Sequence, residues 1–302
     1  MPCFTPLEAW KSSKGGITFT SSEAFRDYPV KLACGQCRGC RRRRQRDWAI
    51  RCVHEAHLHR DSDGVQKCAF LTLTYNDAYL PLDGSLNLDH FQRFTKRARA
   101  KLGPFRFLHC GEYGEENERP HYHALLFGQD FRGDRRKFGE RKGHAIYGSE
   151  TLSKLWPYGF HEIGEVSYDS AAYVAGYVVK KLNGEAAKAV YGDRRPEYAT
   201  MSRGGRSGRG LAYDWIKKYW RSVYPDDFVV LKNRRMKPPV YYDRWLKEHQ
   251  PKVWEDVQAA RFERRMPEEQ THERLRIRER VDERVANLFA PHRELDGVAH
   301  GM

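Results

Sequence analysis

The stretch Arg119-Pro120-His121-Tyr122-His123-Ala124-Leu125-Leu126-Phe127 restricts the fold more than any other part of the chain. Its apolar half predicts a buried strand, and alternation along a strand sends the His121 and His123 rings to one face. Polar rings on a buried strand need partners, because leaving them unpaired costs free energy. One such partner is a metal. The pair supplies two nitrogen ligands, and a carboxylate from the adjoining strand completes a facial set with positions open to phosphate oxygens. Glu112 is the expected third ligand, since it lies on the strand before the hairpin loop, whereas Glu115, Glu116 and Glu118 lie in the loop and read as solvated. That donor set suits a hard divalent ion such as Mg or Mn. The other reading is that the two rings pack or hydrogen-bond, as many such pairs do.

Around this strand the sequence alternates strands and helices in a way that predicts an α+β domain, an antiparallel sheet with helices packed on it. Strands are expected over 68–74, 105–113, 121–127 and 159–166, with the second and third paired as a hairpin. A helix is expected over 88–102, with Phe91, Phe94, Ala98 and Leu102 as its core stripe, while the basic stretch 131–142 reads as a loop. The chain then divides into a Cys-rich basic N-terminal segment (1–60), the central domain (61–184), a basic aromatic extension (185–250) and a charged helical tail (251–302). The tail carries no sustained heptad stripe, so it does not read as a coiled coil.

The segment from Ala171 to Lys181 predicts a second decisive helix, capped by Asp169 or Ser170, with Tyr173 and Tyr177 on one face. Alone, such a pair reads as aromatic packing on the sheet. Beside a metal-binding strand it reads as a pair of nucleophiles. A free tyrosine has a pKa of about 10, so its attack on phosphorus requires a metal that withdraws charge and a nearby cation. Lys180, one turn beyond Tyr177, can supply that cation. Histidine pair, upstream carboxylate and downstream Tyr-x-x-Lys stand in the order expected of an enzyme that cuts one DNA strand through a covalent phosphotyrosine.

Lys and Arg outnumber Asp and Glu by 54 to 40, a net charge of +14 that points to a polyanionic partner. With 13% aromatic residues available for base stacking, a single-stranded nucleic acid is the expected one. No apolar run approaches the roughly 18 to 20 residues of a spanning helix, so no membrane partner is expected and the chain is assigned to a cytoplasm. The 7 cysteines, an odd number, argue against a secreted disulfide framework. Cys34, Cys37 and Cys40, with Cys3 as a distant fourth thiolate, can close a tetrahedral structural Zn site; similar triplets also occur in iron-sulfur proteins and as plain reduced thiols. Cys52, Cys68 and Cys110 read as small buried residues. The run Arg41, Arg42, Arg43, Arg44 has two readings, a solvated helix start and a grip on a phosphate backbone, of which DNA contact is preferred.

Three segments carry a resemblance: Phe70-Leu71-Thr72-Leu73-Thr74-Tyr75; Gly111-Glu112-Tyr113-Gly114 with Arg119-Pro120-His121-Tyr122-His123; and Tyr173-Val174-Ala175-Gly176-Tyr177-Val178-Val179-Lys180-Lys181. Together they resemble the rolling-circle HUH endonucleases, and more narrowly the gokushovirus-like microvirus replication initiators. The likeness extends to Cys34-Gly35-Gln36-Cys37-Arg38-Gly39-Cys40-Arg41 and Lys237-Pro238-Pro239-Val240-Tyr241-Tyr242, and so covers most of residues 1–245. It implies a five-stranded antiparallel sheet flanked by helices, a divalent ion on His121, His123 and Glu112, and a tyrosine that attacks single-stranded DNA at a viral origin. The products would be a 5′-phosphotyrosine link and a 3′-hydroxyl for a host polymerase. Two-tyrosine members commonly carry Tyr-x-x-Lys twice; here Gly176 replaces the first lysine, which makes Tyr177 the expected principal nucleophile and Tyr173 its partner. No Gly-x-x-x-x-Gly-Lys-Ser/Thr segment occurs, so unwinding is expected from a host helicase. The rivals are a transposase or plasmid initiator of the same chemistry, and a zinc-stabilised nucleic-acid-binding protein without catalysis.

Overall fold

Ahead of the cysteine run the sequence shows no clean alternation, yet in the computed structural model it forms three antiparallel strands. They are β1 (Leu7–Ser12), β2 (Ile17–Thr18) and β3 (Ala24–Leu32), in the order β2-β1-β3. Ala9, Ser12 and Thr18 are buried while Leu7, Ile17 and Phe25 are exposed, so there was little apolar periodicity to read. The structure describes residues 3–114, 117–141, 143–180, 184–203 and 209–297. They fall into two units, Met1–Arg44 with Ala259–Met302, and Gln45–Gln258. Helix α1 (Arg38–Leu58) starts within the cysteine run, so the four arginines are helical.

The second unit is built on a seven-stranded sheet. Its elements are β4 (Cys68–Tyr75), α2 (Leu88–Leu102), β5 (Arg106–Tyr113), β6 (Pro120–Phe127), β7 (Arg136–Arg141), β8 (His144–Gly148), α3 (Glu150–Leu155), β9 (Gly159–Gly164), α4 (Tyr168–Lys180), α5 (Gly184–Tyr191) and β10 (Tyr198–Met201). The strand order is β10-β5-β6-β4-β9-β8-β7, and the pairs are antiparallel. This is α+β as expected, but with seven strands in place of five. The expected loop over 131–142 holds β7, an edge strand exposed on both faces, which leaves no period to detect. Its charges also discourage pairing with another chain. Strand β10 is only four residues long and is held through its ladder with β5.

Both faces of the sheet are covered. Leu71, Leu73, Tyr122, Ala124 and Leu126 pack with Phe91, Phe94 and Ala98 of α2 and Leu152 and Leu155 of α3. On the opposite face Cys68, Cys110, Leu125 and Phe127 pack with Ala49, Cys52 and Ala56 of α1 and Ala171 and Val174 of α4. All three isolated cysteines are thus buried spacers, as the sequence suggested.

A third cluster gathers around Ile50 of α1. It uses α6 (Tyr213–Tyr219), the hairpin β11 (Val229–Leu231) with β12 (Arg234–Met236), α7 (Val240–His249) and the start of α8 (Pro251–Glu263); α9 (His272–Gly297) follows in the first unit. Within this cluster His54 stacks on Trp215 at 3.5 Å and shares a 2.7 Å hydrogen bond with Tyr242 Oη. Burial, helped by the charge of His57, pushes its pKa down to about 3. Below the ordinary histidine pKa of about 6.5 the unfolded chain therefore binds a proton that folded His54 refuses, and stability falls with pH by about 1.4 kcal/mol per unit. Between pH 7 and 5 the parent is expected to lose about 2 kcal/mol more than His54→Phe in urea unfolding. Equal losses would show that His54 titrates normally in the fold.

Candidate active site

Register decides which side chains meet. Glu112 is the Cα partner of His121, and Cys110 that of His123, so Glu112 shares the face of both histidines. On the other side of β6, Thr72 is the partner of His123. Each ring is held at Nδ1. His121 Nδ1 donates to Arg119 O at 2.5 Å, which makes Nε2 the lone-pair nitrogen; Thr72 Oγ1 lies 3.1 Å from His123 Nδ1. A Cβ at Gly114 would stand 3.0 Å from His121 Cε1, so the ring's approach to the hairpin end depends on glycine there.

His123 Nε2 lies 2.6 Å from Glu112 Oε1. Burial works to raise the Glu112 pKa, but the charge of His123 and hydrogen bonds from His123, Tyr177 and Tyr173 outweigh it and hold the carboxyl at about 2. Its other oxygen, Oε2, is buried with no hydrogen-bond partner. A buried carboxylate oxygen in that condition is costly unless a cation meets it. Two imidazoles and an anionic carboxylate on one face are a donor set that fits a divalent ion.

Helix α4 delivers the tyrosines. It starts one to two residues earlier than expected because Ser167, not Asp169 or Ser170, caps it. Ser167 Oγ accepts from Ser170 N at 3.2 Å, and Ser170 Oγ accepts from Ser167 N at 2.9 Å. Gln45 of α1 donates to Ala172 O at 2.8 Å, and a Cβ at Gly176 would stand 3.2 Å from the same amide nitrogen. Helix α1 therefore comes close to α4 at Gly176.

Tyr173 Oη donates to Glu112 Oε1 at 2.9 Å and lies 3.5 Å from His123 Nε2. Tyr177 Oη donates to Tyr173 Oη at 3.3 Å. Both hydroxyls thus gather at the carboxylate, Tyr173 by the 2.9 Å bond and Tyr177 by a bond of its own as well as through Tyr173. Burial first, then the Glu112 charge, pushes both phenols above their ordinary pKa. They stay neutral unless positive charge reaches them. The Lys180 side chain lies outside the described residues. Sequence reasoning passed over Thr72, although a threonine alternating within the apolar run 68–75 already marked the polar face of β4.

In the first unit the Sγ atoms of Cys3, Cys34, Cys37 and Cys40 lie within 4.8 Å of one another. Cys3 Sγ is 3.7 Å from Cys34 Sγ and 3.9 Å from Cys37 Sγ. Zn–S bonds of about 2.3 Å span a tetrahedron with edges of about 3.8 Å, so the thiols fit one such ion. Backbone N–H groups of Phe4, Cys34 and Cys37 each donate to a sulfur at 3.3 Å, which favours thiolate. Burial opposes ionisation of Cys34, yet the Thr5 hydroxyl and the Cys37 and Gln36 N–H groups lower its pKa to about 6. Just after this cluster, Arg42 pairs with Asp282 and Arg44 donates to Gly35 O at 3.2 Å, whereas Arg41 is exposed.

A family model described as replication-associated protein ORF2/G2P matches residues 68–182, the segment holding Glu112, both histidines and both tyrosines. Replication-associated protein VP4 of Bdellovibrio phage phiMH2K is 32% identical over 272 residues, 86% of this chain and 81% of its own. The chain belongs to the microvirus replication-associated proteins. Replication-associated protein ORF2 of Spiroplasma virus 4 is 31% identical over 281 residues, covering 85% of this chain and 82% of that one. Replication-associated protein ORF4 of Chlamydia phage 1 is 28% identical over 233 residues, 74% of this chain and 55% of its own. No solved structure matches this microvirus replication-associated protein. Among its described residues no helix is long and apolar enough to cross a membrane.

Proposed function

We propose that this chain initiates phage DNA replication by nicking one strand of the viral origin through tyrosine transesterification and later rejoining it. The observation that carries this reading is the chain of contacts from Tyr177 through Tyr173 to Glu112 and His123. A Mg or Mn ion, held by His121, His123 and Glu112, would supply positive charge to the scissile phosphate and to the phenol. Tyr173 Oη forms a bond to phosphorus as the P–O3′ bond breaks, leaving a 5′-phosphotyrosine and a free 3′-hydroxyl. One phosphate ester replaces another, so the step needs no nucleotide cofactor. The proton lost by the phenol is balanced by the one gained at O3′.

The expectation that Tyr177 leads rested on Lys180; Tyr173, whose hydroxyl bonds Glu112 and also lies 3.5 Å from His123 Nε2, is instead assigned the first cut in this reading, with Tyr177 for the rejoining attack. The 3′-hydroxyl would prime a host polymerase, and a host helicase would separate the strands. Arg41 to Arg44 would lie along the DNA backbone, with a structural zinc on the four clustered cysteines holding that segment together.

The test is to incubate the full chain with labelled single-stranded segments that tile its own phage genome, in Mn, and to look for a DNA adduct that survives denaturant. One segment is expected to yield it, and His121→Ala is expected to lose it. DNA binding with no adduct on any segment would leave a binding protein without catalysis.

A further inference from the structure

On the histidine side of the sheet α4 lies over β5, β6 and β10. One β9 side chain stands in the open there: Phe160, 68% exposed. Thr74 of β4 is the Cα partner of His121 on one side and of Phe160 on the other. Glu112, His121, Thr74 and Phe160 therefore form one rung across four strands, all on the same face. Two strand spacings of about 4.8 Å put Phe160 roughly 10 Å from His121.

The ring's position is fixed from below. A Cβ at Gly159 would stand 2.3 Å from Asn76 N and 2.5 Å from Thr74 O, so β9 begins this close to the end of β4 only with glycine there. Two guanidinium groups are anchored at adjoining positions, each paired with a carboxylate, Arg119 with Asp77 and Arg141 with Glu162. Arg119 donates to the carbonyl of Tyr75, the ladder partner of Gly159. Arg141 grips Glu162, the next β9 residue on this face, through hydrogen bonds of 3.1 and 3.3 Å. Single exposed apolar side chains are ordinary on a protein surface. This one is set apart by the rung it shares with His121 and Glu112.

We propose that Phe160 is the platform on which a nucleobase of single-stranded DNA stacks, beside the phosphate presented at His121 and Glu112. The assignment of that phosphate rests on the nicking function proposed above. An aromatic face stacks with any base and distinguishes little among them. It does discriminate between strands, because bases within a duplex are already stacked on one another. Phe160 thus selects unpaired DNA and sets its register on the sheet, while sequence is read elsewhere.

The test is equilibrium binding of the full chain, at fixed salt and without added divalent metal, to two labelled strands of about 20 nucleotides, oligothymidylate and a fully abasic strand with the same number of phosphates. Phe160→Ala is expected to weaken oligothymidylate binding on the order of 5- to 100-fold and to leave the abasic strand unaffected. Phe160→Trp restores binding, and Phe262→Ala, which removes a similarly exposed ring on α8, changes neither strand. Equal affinity of Phe160→Ala and the parent for oligothymidylate, or equal weakening on both strands, would overturn the proposal. No bond is broken in this assay, so its outcome is separate from nicking: a chain that never forms a DNA adduct, yet depends on Phe160 here, loses the nuclease function and keeps the platform.

Discussion

Phenylalanine at both Tyr173 and Tyr177 is expected to abolish covalent attachment to DNA, with a loss of roughly 10⁴-fold or more, the scale on which removal of a nucleophile acts. The substitution takes only the hydroxyls. The rings keep their packing, Tyr173 against His123 at 5.0 Å and Tyr177 against Tyr173 at 5.4 Å, so the variant should still unfold cooperatively, its midpoint lowered only by the lost hydrogen bonds to Glu112. The single variants separate the two steps. Tyr173→Phe loses first cleavage on a linear origin strand, whereas Tyr177→Phe retains the adduct and loses transfer to a second strand. The measurement is denaturing electrophoresis of end-labelled DNA. Adduct formation by the double variant would remove both tyrosines from the chemistry, and the opposite assignment of the single variants would restore Tyr177 to the leading role.

The second large effect belongs to the four clustered cysteines. Protein purified without chelator is expected to carry zinc, measured by atomic spectroscopy, and Cys37→Ala to lose it. Structural zinc contributes about 10 kcal/mol or more to such sites, as much as the whole stability of an ordinary domain. Its loss should therefore open the N-terminal segment to protease at concentrations that leave the parent intact. Cys52→Ala and Cys110→Ala, at buried sites outside the cluster, should retain the metal. A metal-free parent with the same protease resistance would reduce the cluster to packed thiols.

The parts of this molecule that could be read from its sequence are those where one residue's environment is set by its near neighbours. Helix α2 runs over 88–102 as expected, because Asn87 caps it, accepting from Asp89 N, and Phe91, Phe94 and Ala98 repeat at helical spacing. The partnership of Glu112 with the histidines was legible only in part, because the loop over 114–119 leaves strand parity open and the β5–β6 ladder supplies it. Strands β7 and β10 were hidden for the opposite reason. An edge strand exposed on both faces has no alternation, and a four-residue strand owes its form to the neighbour it pairs with. Motif spacing favoured Tyr177 through Lys180, whereas the hydrogen bond of Tyr173 to Glu112 depends on how α4 lies over β5, a tertiary matter.

Every residue of β6 is buried, and both its edges are laddered, to β5 and to β4. Backbone amides in such a strand exchange with solvent only when the surrounding unit opens as a whole. His121 and His123 therefore have no local route to disorder: freeing either ring's backbone and unfolding the unit are the same event. The tyrosines ride instead on a helix that packs Ala171 and Val174 onto the sheet and is tied further by its serine cap, by Gln45 and by an ion pair of Asp169 with Lys232. Any travel that the proposed two-step reaction demands therefore falls to the tyrosines and not to the histidines.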